Sequence, residues 1–459
     1  MTHKIIFFIF LSIAGLSDVY GKVSQDNIYD PKDYGAIPDG QTLSTEAIQK
    51  AIDECTENGG GMVKLNGGQF LTGTIFMKSN VRLEITEGST LLGSTDLKHY
   101  PKTHSDFRSY TDNYTDKSLI YGEDLMNIAI TGEGTIDGQG SYFKGDYKKR
   151  PYGIRFISCR NILIEDVSMR NSAMWMQHYL ACDSVVIRGI EVWNHGNKNN
   201  DGIDIDGCHH VIIEDCEIDS DDDGICLKSS SERLCEDIVI RNCIVGSHCN
   251  AIKCGTESTG GFKDVIIQDC KIIPSDEVNV IYGIGSGLAG IALEIVDGGT
   301  MENVSVSGIH ITGTTAPIFM RLGNRARLYR KGQKEPGVGT MENVSFSEIV
   351  SVGSRNTGCM IAGISGHPIK NLIFTNMKLT FEGGGVPEDG TRQFDEKPDQ
   401  YPECTMFAER LPAYGFYFWH VNGLILKNVE LITEKTDPRN SILFEEVSDI
   451  LLNGKPFVY

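Results

Sequence analysis

Past its first twenty or so residues this sequence has no long apolar run. A bilayer span needs ~20 consecutive apolar residues, so no membrane span is expected. The first 21 residues are different. Lys4 precedes the apolar run Ile5–Ala14, and the small residues Gly15, Ser17 and Gly21 follow. That order reads as a signal peptide over 1–21, removed on export to the periplasm or the medium. No cysteine precedes Cys55, which argues against a lipid-anchored form of that signal. Positive charge is scarce. Lys and Arg number 42 against 62 Asp and Glu, a net charge of −20. Such a surface repels phosphate and excludes nucleic acid as a partner. An anionic polymer remains possible if Lys and Arg gather locally in a cleft. Helical periodicity is nearly absent. It appears over Ser44–Cys55, where Ala47, Ile48, Ala51 and Ile52 share one face. Thirteen cysteines in an exported chain suggest disulfides. However, Cys216, Cys243 and Cys270 recur at one place in successive repeats. A row of small buried thiols fits that recurrence better than bridges do.

What the chain does have is a repeat. Segments starting at Asn161, Ser184, His210, Asp237 and Asp264 share one pattern, with starts 23, 26, 27 and 27 residues apart. The pattern returns at Asn303, Asn343, Asn371 and Gly423, and earlier copies begin at Asn80 and Asn127. Each unit alternates apolar with polar residues, breaks at a polar or glycine turn, and resumes. Period-2 alternation means strands with one buried face. No unit holds a helix long enough for a βαβ crossover. One unit is therefore one coil of a parallel β-solenoid, each strand pairing with its copy one coil above. Asparagine at many strand starts suits a turn that tolerates unusual backbone angles. The Ser44–Cys55 helix is expected to cap the open end, where strands would otherwise pair with other chains. Residues 22–459 are read as one all-β domain, a right-handed parallel β-helix with a short N-terminal capping helix. Insertions at 93–125, 274–300, 321–340 and 381–416 are expected to be loops on the binding face.

One stretch breaks the pattern. Asn199-Asn200-Asp201-Gly202 is followed by Asp204 and Asp206, and one repeat later Asp219, Asp221, Asp222 and Asp223 precede Gly224. Asp201 and Asp222 are 21 residues apart, about one coil, which places them ~4.8 Å apart along the solenoid axis. Carboxylates pressed together raise one another's pKa values. A protonated carboxylic acid beside an ionised one, with room for a water, suits inverting glycoside hydrolysis, for which the separation is ~6.5–9.5 Å. His248 and Lys253 lie about one coil further on. A helix-loop-helix calcium loop is a poor match, because Ser230 stands where its last glutamate should be. Calcium held in some other way by a β-helical lyase, with Lys253 as its base, is a second reading. A non-catalytic carbohydrate-binding solenoid is a third.

At these residues the chain resembles glycoside hydrolase family 28, the polygalacturonase and rhamnogalacturonan hydrolase family. The family's Asn-Thr-Asp motif matches Asn199-Asn200-Asp201, and its paired aspartates match Asp222-Asp223. Asp33-Tyr34-Gly35-Ala36 and Lys78-Ser79-Asn80-Val81 are similar as well. The resemblance implies a pectin-lyase-like solenoid and a pectic substrate, without metal or organic cofactor. Asp222 would be the general acid, and Asp201 and Asp223 would position the nucleophilic water. Two departures stand out. The Gly-His-Gly motif appears as Ser247-His248-Cys249, or shifts so that Asn250 takes the histidine's place. The Arg-Ile-Lys motif that holds the substrate carboxylate falls near Gly290–Glu294, where the basic pair is missing. Arg321, Arg325 and Arg327 are the nearest replacements, since an Arg fork fits a carboxylate. The expected set is therefore catalytic Asp201, Asp222, Asp223 and His248, with Asn199, Lys253, Arg321 and Arg325 on the substrate. A monomer is expected, and exo action is weakly favoured by the long loops.

Overall fold

The computed structural model describes residues 27–459. The expected signal peptide, 1–21, lies outside them. Every strand pairing but the last is parallel, and each strand bonds to its counterpart one coil before and one coil after. Ile162, Val185, Val211, Ile238, Val265, Val304, Val344, Leu372 and Leu424 stack in a single register from coil to coil. All are buried in one continuous core. The architecture is a parallel β-helix.

The strand starts explain the regularity. Asn80, Asn127, Asn161, Ser184, His210, Asp237, Asp264, Asn303, Asn343 and Asn371 all have φ between 53° and 63°, in the left-handed region. Gly423 has φ 81° at the same place. Asparagine tolerates that conformation better than most residues because its side chain bonds locally. Here it also bonds along the stack. Asn127 Nδ2 donates to Asn80 Oδ1 at 2.8 Å, and Asn161 Nδ2 to Asn127 Oδ1 at 2.9 Å. Asn303, Asn343 and Asn371 extend the same ladder later in the chain. Where asparagine stands there, one residue sets both the turn and its register on the coil before.

The helix α1 (Thr45–Glu57) closes the first coil, as expected. Ile48, Ala51, Ile52 and Cys55 pack inward. Gln49 satisfies an otherwise open strand edge, accepting from the Phe76 amide at 2.8 Å and donating to its carbonyl at 3.0 Å. At the other end Lys455–Phe457 turns back antiparallel on Asn440–Leu452. All thirteen cysteines are buried free thiols. No helix among the described residues is long and apolar enough to cross a membrane.

Four insertions, at 94–117, 274–288, 323–339 and 384–412, leave the coils and gather over one sheet. Tyr110 donates its amide to the Ser230 carbonyl, and the Tyr114 hydroxyl reaches Glu257 at 2.9 Å. Lys253 Nζ meets the Tyr401 hydroxyl at 3.3 Å. The loops therefore wall in the strands Ile203–Asp206, Ile225–Ser229, Ile252–Ser258 and Ala289–Ile295.

Candidate active site

The cleft floor is a ladder of outward-facing side chains. His178, Asp204, Cys226, Lys253, Ala292 and Phe319 occupy one register position on successive coils. The turn ahead of each strand carries the acids. The Gly202 amide donates to the Asp223 carbonyl, and the Gly224 amide to the Asn250 carbonyl, both at 2.9 Å. Asp201, Asp223 and Asn250 thus sit one above another. Gly202 and Gly224 permit this approach. A Cβ at Gly202 would lie 2.5 Å from the Ile218 side chain and 2.6 Å from the Gly224 carbonyl, and one at Gly224 would lie 2.4 Å from Val245. Asn200 fixes the first turn from within, donating to the Ser172 and Met174 carbonyls.

One oxygen each of Asp201, Asp222 and Asp223 lies within 4.8 Å of the other two. This is tighter than the ~6.5–9.5 Å ordinarily associated with inversion, because all three come from adjacent turns of a single stack. Their environments differ. Burial, then the neighbouring Asp223 charge, pushes Asp222 up to about 7. Burial alone would also raise Asp223. It is outweighed by Lys253 at 3.0 Å, by Lys228, and by Asn250, whose amide and Nδ2 donate to Oδ1 at 3.2 and 2.8 Å. Asp223 is held below the usual aspartate range. Burial and the Asp222 charge raise Asp201 well above its ordinary value, against Lys228 at 3.4 Å. The Asp201 Oδ1 atom is buried and has no hydrogen-bond partner among the described residues.

Two lysines balance this charge. Lys228 lies 3.1 Å from Asp204 and 3.7 Å from Glu257, and over the Trp175 ring at 4.5 Å. Lys253 lies between Asp223 and Glu294, the latter 3.9 Å away. Burial, partly opposed by Lys253, lifts Glu294 to about 8. Could the aspartate cluster hold a metal? The three carboxylates offer enough oxygens, but a dication would sit against two ammonium groups already paired there. The donor set does not fit calcium well.

Several expected residues stand elsewhere. His248 is fully buried and does not reach the aspartate cluster. Its Nδ1 is 2.8 Å from Asp221 and its Nε2 2.9 Å from the Glu277 carbonyl. Asn250 stands against Asp223 instead. Arg321 is also buried, donating to the Gly363 and Lys397 carbonyls at 2.9 and 3.3 Å and to that of Glu396. It holds the 384–412 loop and is buried away from the cleft surface. Arg325 and Arg327 form a paired cluster with Asp297, and Arg327 also bonds Glu257. Asn199 Oδ1 accepts from Arg150 Nη2 at 2.9 Å. Lys253 does lie on the cleft floor, tied to Asp223.

Sequence reasoning missed Lys228, Glu257, Trp175, Tyr401 and Tyr282, whose backbone amide donates to Asp221 at 2.6 Å. Lys228 had one available signal, a lysine in the buried register of the strand Ile225–Ser229. The two tyrosines sit in inserted loops with no periodicity to mark them.

Known proteins share this sequence pattern and this fold. A probable polygalacturonase from Vitis vinifera is 36% identical over 214 residues, 43% of each chain. An exo-poly-alpha-D-galacturonosidase from Dickeya chrysanthemi is 28% identical over 245 residues, 42% of this chain and 40% of that one. The chain therefore spans about half or less of the length of the curated relatives it matches. The solved family 28 exopolygalacturonase of Yersinia enterocolitica superposes with a TM-score of 0.73 at 18% identity, covering 95% of this chain and 80% of that one. Residues 63–393 match the family described as Glycosyl hydrolases family 28, and with its aspartates stacked on adjacent coils the chain belongs to that family.

Proposed function

We propose that this chain hydrolyses α-linked pectic polysaccharide with inversion, using Asp222 as general acid and Asp223 with Asp201 to activate the water. One observation carries the reading. Asp222, with a pKa near 7, stands beside Asp223, which Lys253 and Asn250 keep ionised. An acid and a base with pKa values pushed apart in one cleft is the arrangement glycoside hydrolysis needs. Asp222 gives its proton to the leaving oxygen. Asp223 accepts a proton from the attacking water, which the orphan Asp201 Oδ1 helps to orient. A covalent route through Asp223 is disfavoured. Esterifying it would strip Lys253 of its main partner, and a buried cation left without one is costly.

The substrate class follows the family and its polygalacturonase relatives. The cations nearest the triad already have ionised partners, Lys253 in Asp223, Lys228 in Glu257 and Arg325 in Asp297. That favours a sugar without a carboxylate at this place. The rhamnose-containing linkage of rhamnogalacturonan fits it better than a run of galacturonate. Export rests on the composition of residues 1–21, and exo action on the walls formed by the four loops.

The test is Asp222→Asn on polygalacturonan and rhamnogalacturonan, scored by reducing-end release. A loss of about 10²–10⁴-fold in kcat is expected for a general acid. Wild-type activity in the variant would refute the assignment. Calcium-dependent release of an unsaturated, ultraviolet-absorbing product would replace it with a lyase.

A further inference from the structure

One residue before the proposed acid, Asp221 faces two histidines. His248 Nδ1 lies 2.8 Å from Asp221 Oδ1, and His195 Nδ1 lies 3.8 Å from the same oxygen. One nitrogen of each ring and one Asp221 oxygen all lie within 4.8 Å of one another. The three side chains are 3%, 0% and 0% exposed for His195, Asp221 and His248. His195 Nδ1 is buried and has no hydrogen-bond partner among the described residues. It is an unspent polar atom aimed into the cluster.

The outer nitrogens are the more telling feature. His195 Nε2 lies 3.1 Å from Asp219 Oδ1, and His248 Nε2 lies 2.9 Å from the Glu277 carbonyl. Each ring therefore has its Nε2–H directed at an outer oxygen and its Nδ1 at Asp221. Metal-ligating histidines are oriented in this way, with the second N–H given to a carboxylate or a backbone carbonyl. The proposed acid/base mechanism uses none of these groups.

We propose that His195, Asp221 and His248 form a binding site for one divalent transition-metal ion of the zinc type. Two imidazole nitrogens and one carboxylate oxygen are a borderline donor set that suits Zn²⁺. Ligands of a tetrahedral Zn²⁺ stand roughly 3.3 Å apart, given bonds of about 2.0–2.1 Å; the separations from Asp221, 2.8 and 3.8 Å, lie on either side of that, and the two histidine nitrogens, within 4.8 Å of each other, close on the ion. The ion takes the place of the proton between His248 Nδ1 and Asp221 Oδ1. A carboxylate accepts at about four positions, so Asp221 keeps its backbone donors Ile281, at 2.9 Å, and Tyr282, at 2.6 Å. Asp219 likewise keeps the Asp276 amide at 2.8 Å. A surface groove lined by Trp193, Gly246 and Asp276 also includes Asp219, the partner of His195 Nε2. Bound there, the ion would fasten the 274–288 loop, and with it Tyr282, to the coil that carries Asp222.

The test is equilibrium dialysis of untagged, chelator-stripped full chain against Zn²⁺, with the visible spectrum of the Co²⁺ form as a second readout. One ion per chain is expected, with a tetrahedral Co²⁺ spectrum and a rise in Tm on adding Zn²⁺. His195→Ala should lose the spectrum and the Tm rise. Asp219→Asn, which keeps every ligand, should bind about 10–100-fold more weakly. Asp201→Asn, in the other carboxylate cluster, should bind as wild type does. Absence of stoichiometric Zn²⁺ in the wild type would overturn the site and leave the trio as a proton-bridged clamp on the loop. Loss of binding in Asp201→Asn, or full binding in His195→Ala, would overturn it equally. Should His195→Ala fail to fold, the wild-type stoichiometry and Asp219→Asn still decide.

Discussion

Asp222 and Asp223 are adjacent in sequence and nearly opposite in behaviour, and the cause is which of them touches a cation. Asp223 has Lys253 at 3.0 Å and two donors from Asn250. Asp222 has burial and a negative neighbour. A pH profile follows from this. With Asp222 as the proposed acid, kcat/KM should fall above about pH 7, approaching tenfold per unit. With Asp223 as the proposed base, the acid limb should lie below that of an ordinary aspartate. Lys253→Met removes the main cause and should move the acid limb to higher pH while lowering kcat/KM. An unmoved acid limb would show that Lys253 does not hold Asp223. The same shift has a stability sign. The folded chain keeps the Asp222 proton between about pH 4 and pH 7, where the unfolded chain has released it. Stability should decline as pH rises through that window, and Asp222→Asn should flatten that part of the slope.

At the scale of the strand and its turn, the sequence was most readable. Asparagine at Asn161, Asn303 or Asn343 signalled a turn, and alternation signalled a strand with one buried face. Both signals are local, and both match the left-handed turns and stacked registers. The turn makes a prediction. Asn161→Ala keeps φ 57° against a Cβ and loses the bond to Asn127. It should cost about 1–2 kcal/mol. Asn161→Gly loses the same bond without the backbone strain and should cost less. Urea melts of the two variants check the order, and an alanine variant as stable as the glycine one would contradict it. Side-chain direction at the site was less readable. Period-2 reasoning placed His248 about one coil beyond the aspartates. It could not tell that the ring turns toward Asp221, because a turn residue has no fixed alternation. Asn250, two residues on, is the one that meets Asp223.

Across the whole molecule, the solenoid could be read because each coil repeats its neighbour's contacts. The walls of the cleft could not, because their contacts join positions far apart in sequence. Arg321 shows the difference. Its place after a strand made it a candidate for holding a carboxylate. Its donors instead go to carbonyls of the loop 75 and 76 residues later. Lys253 meets Tyr401 across 148 residues. No short window of sequence contains either contact. What the loops enclose is a cleft with three aspartates, two committed lysines and no unpaired arginine among the residues described near it. The central claim is that this cleft delivers water to the sugar while Asp222 protonates the leaving oxygen. Proton NMR of the first product formed from an α-linked pectic substrate tests that claim most directly. The β-anomer, appearing before mutarotation, is the predicted product. An initial α-anomer, or an unsaturated sugar, would contradict it.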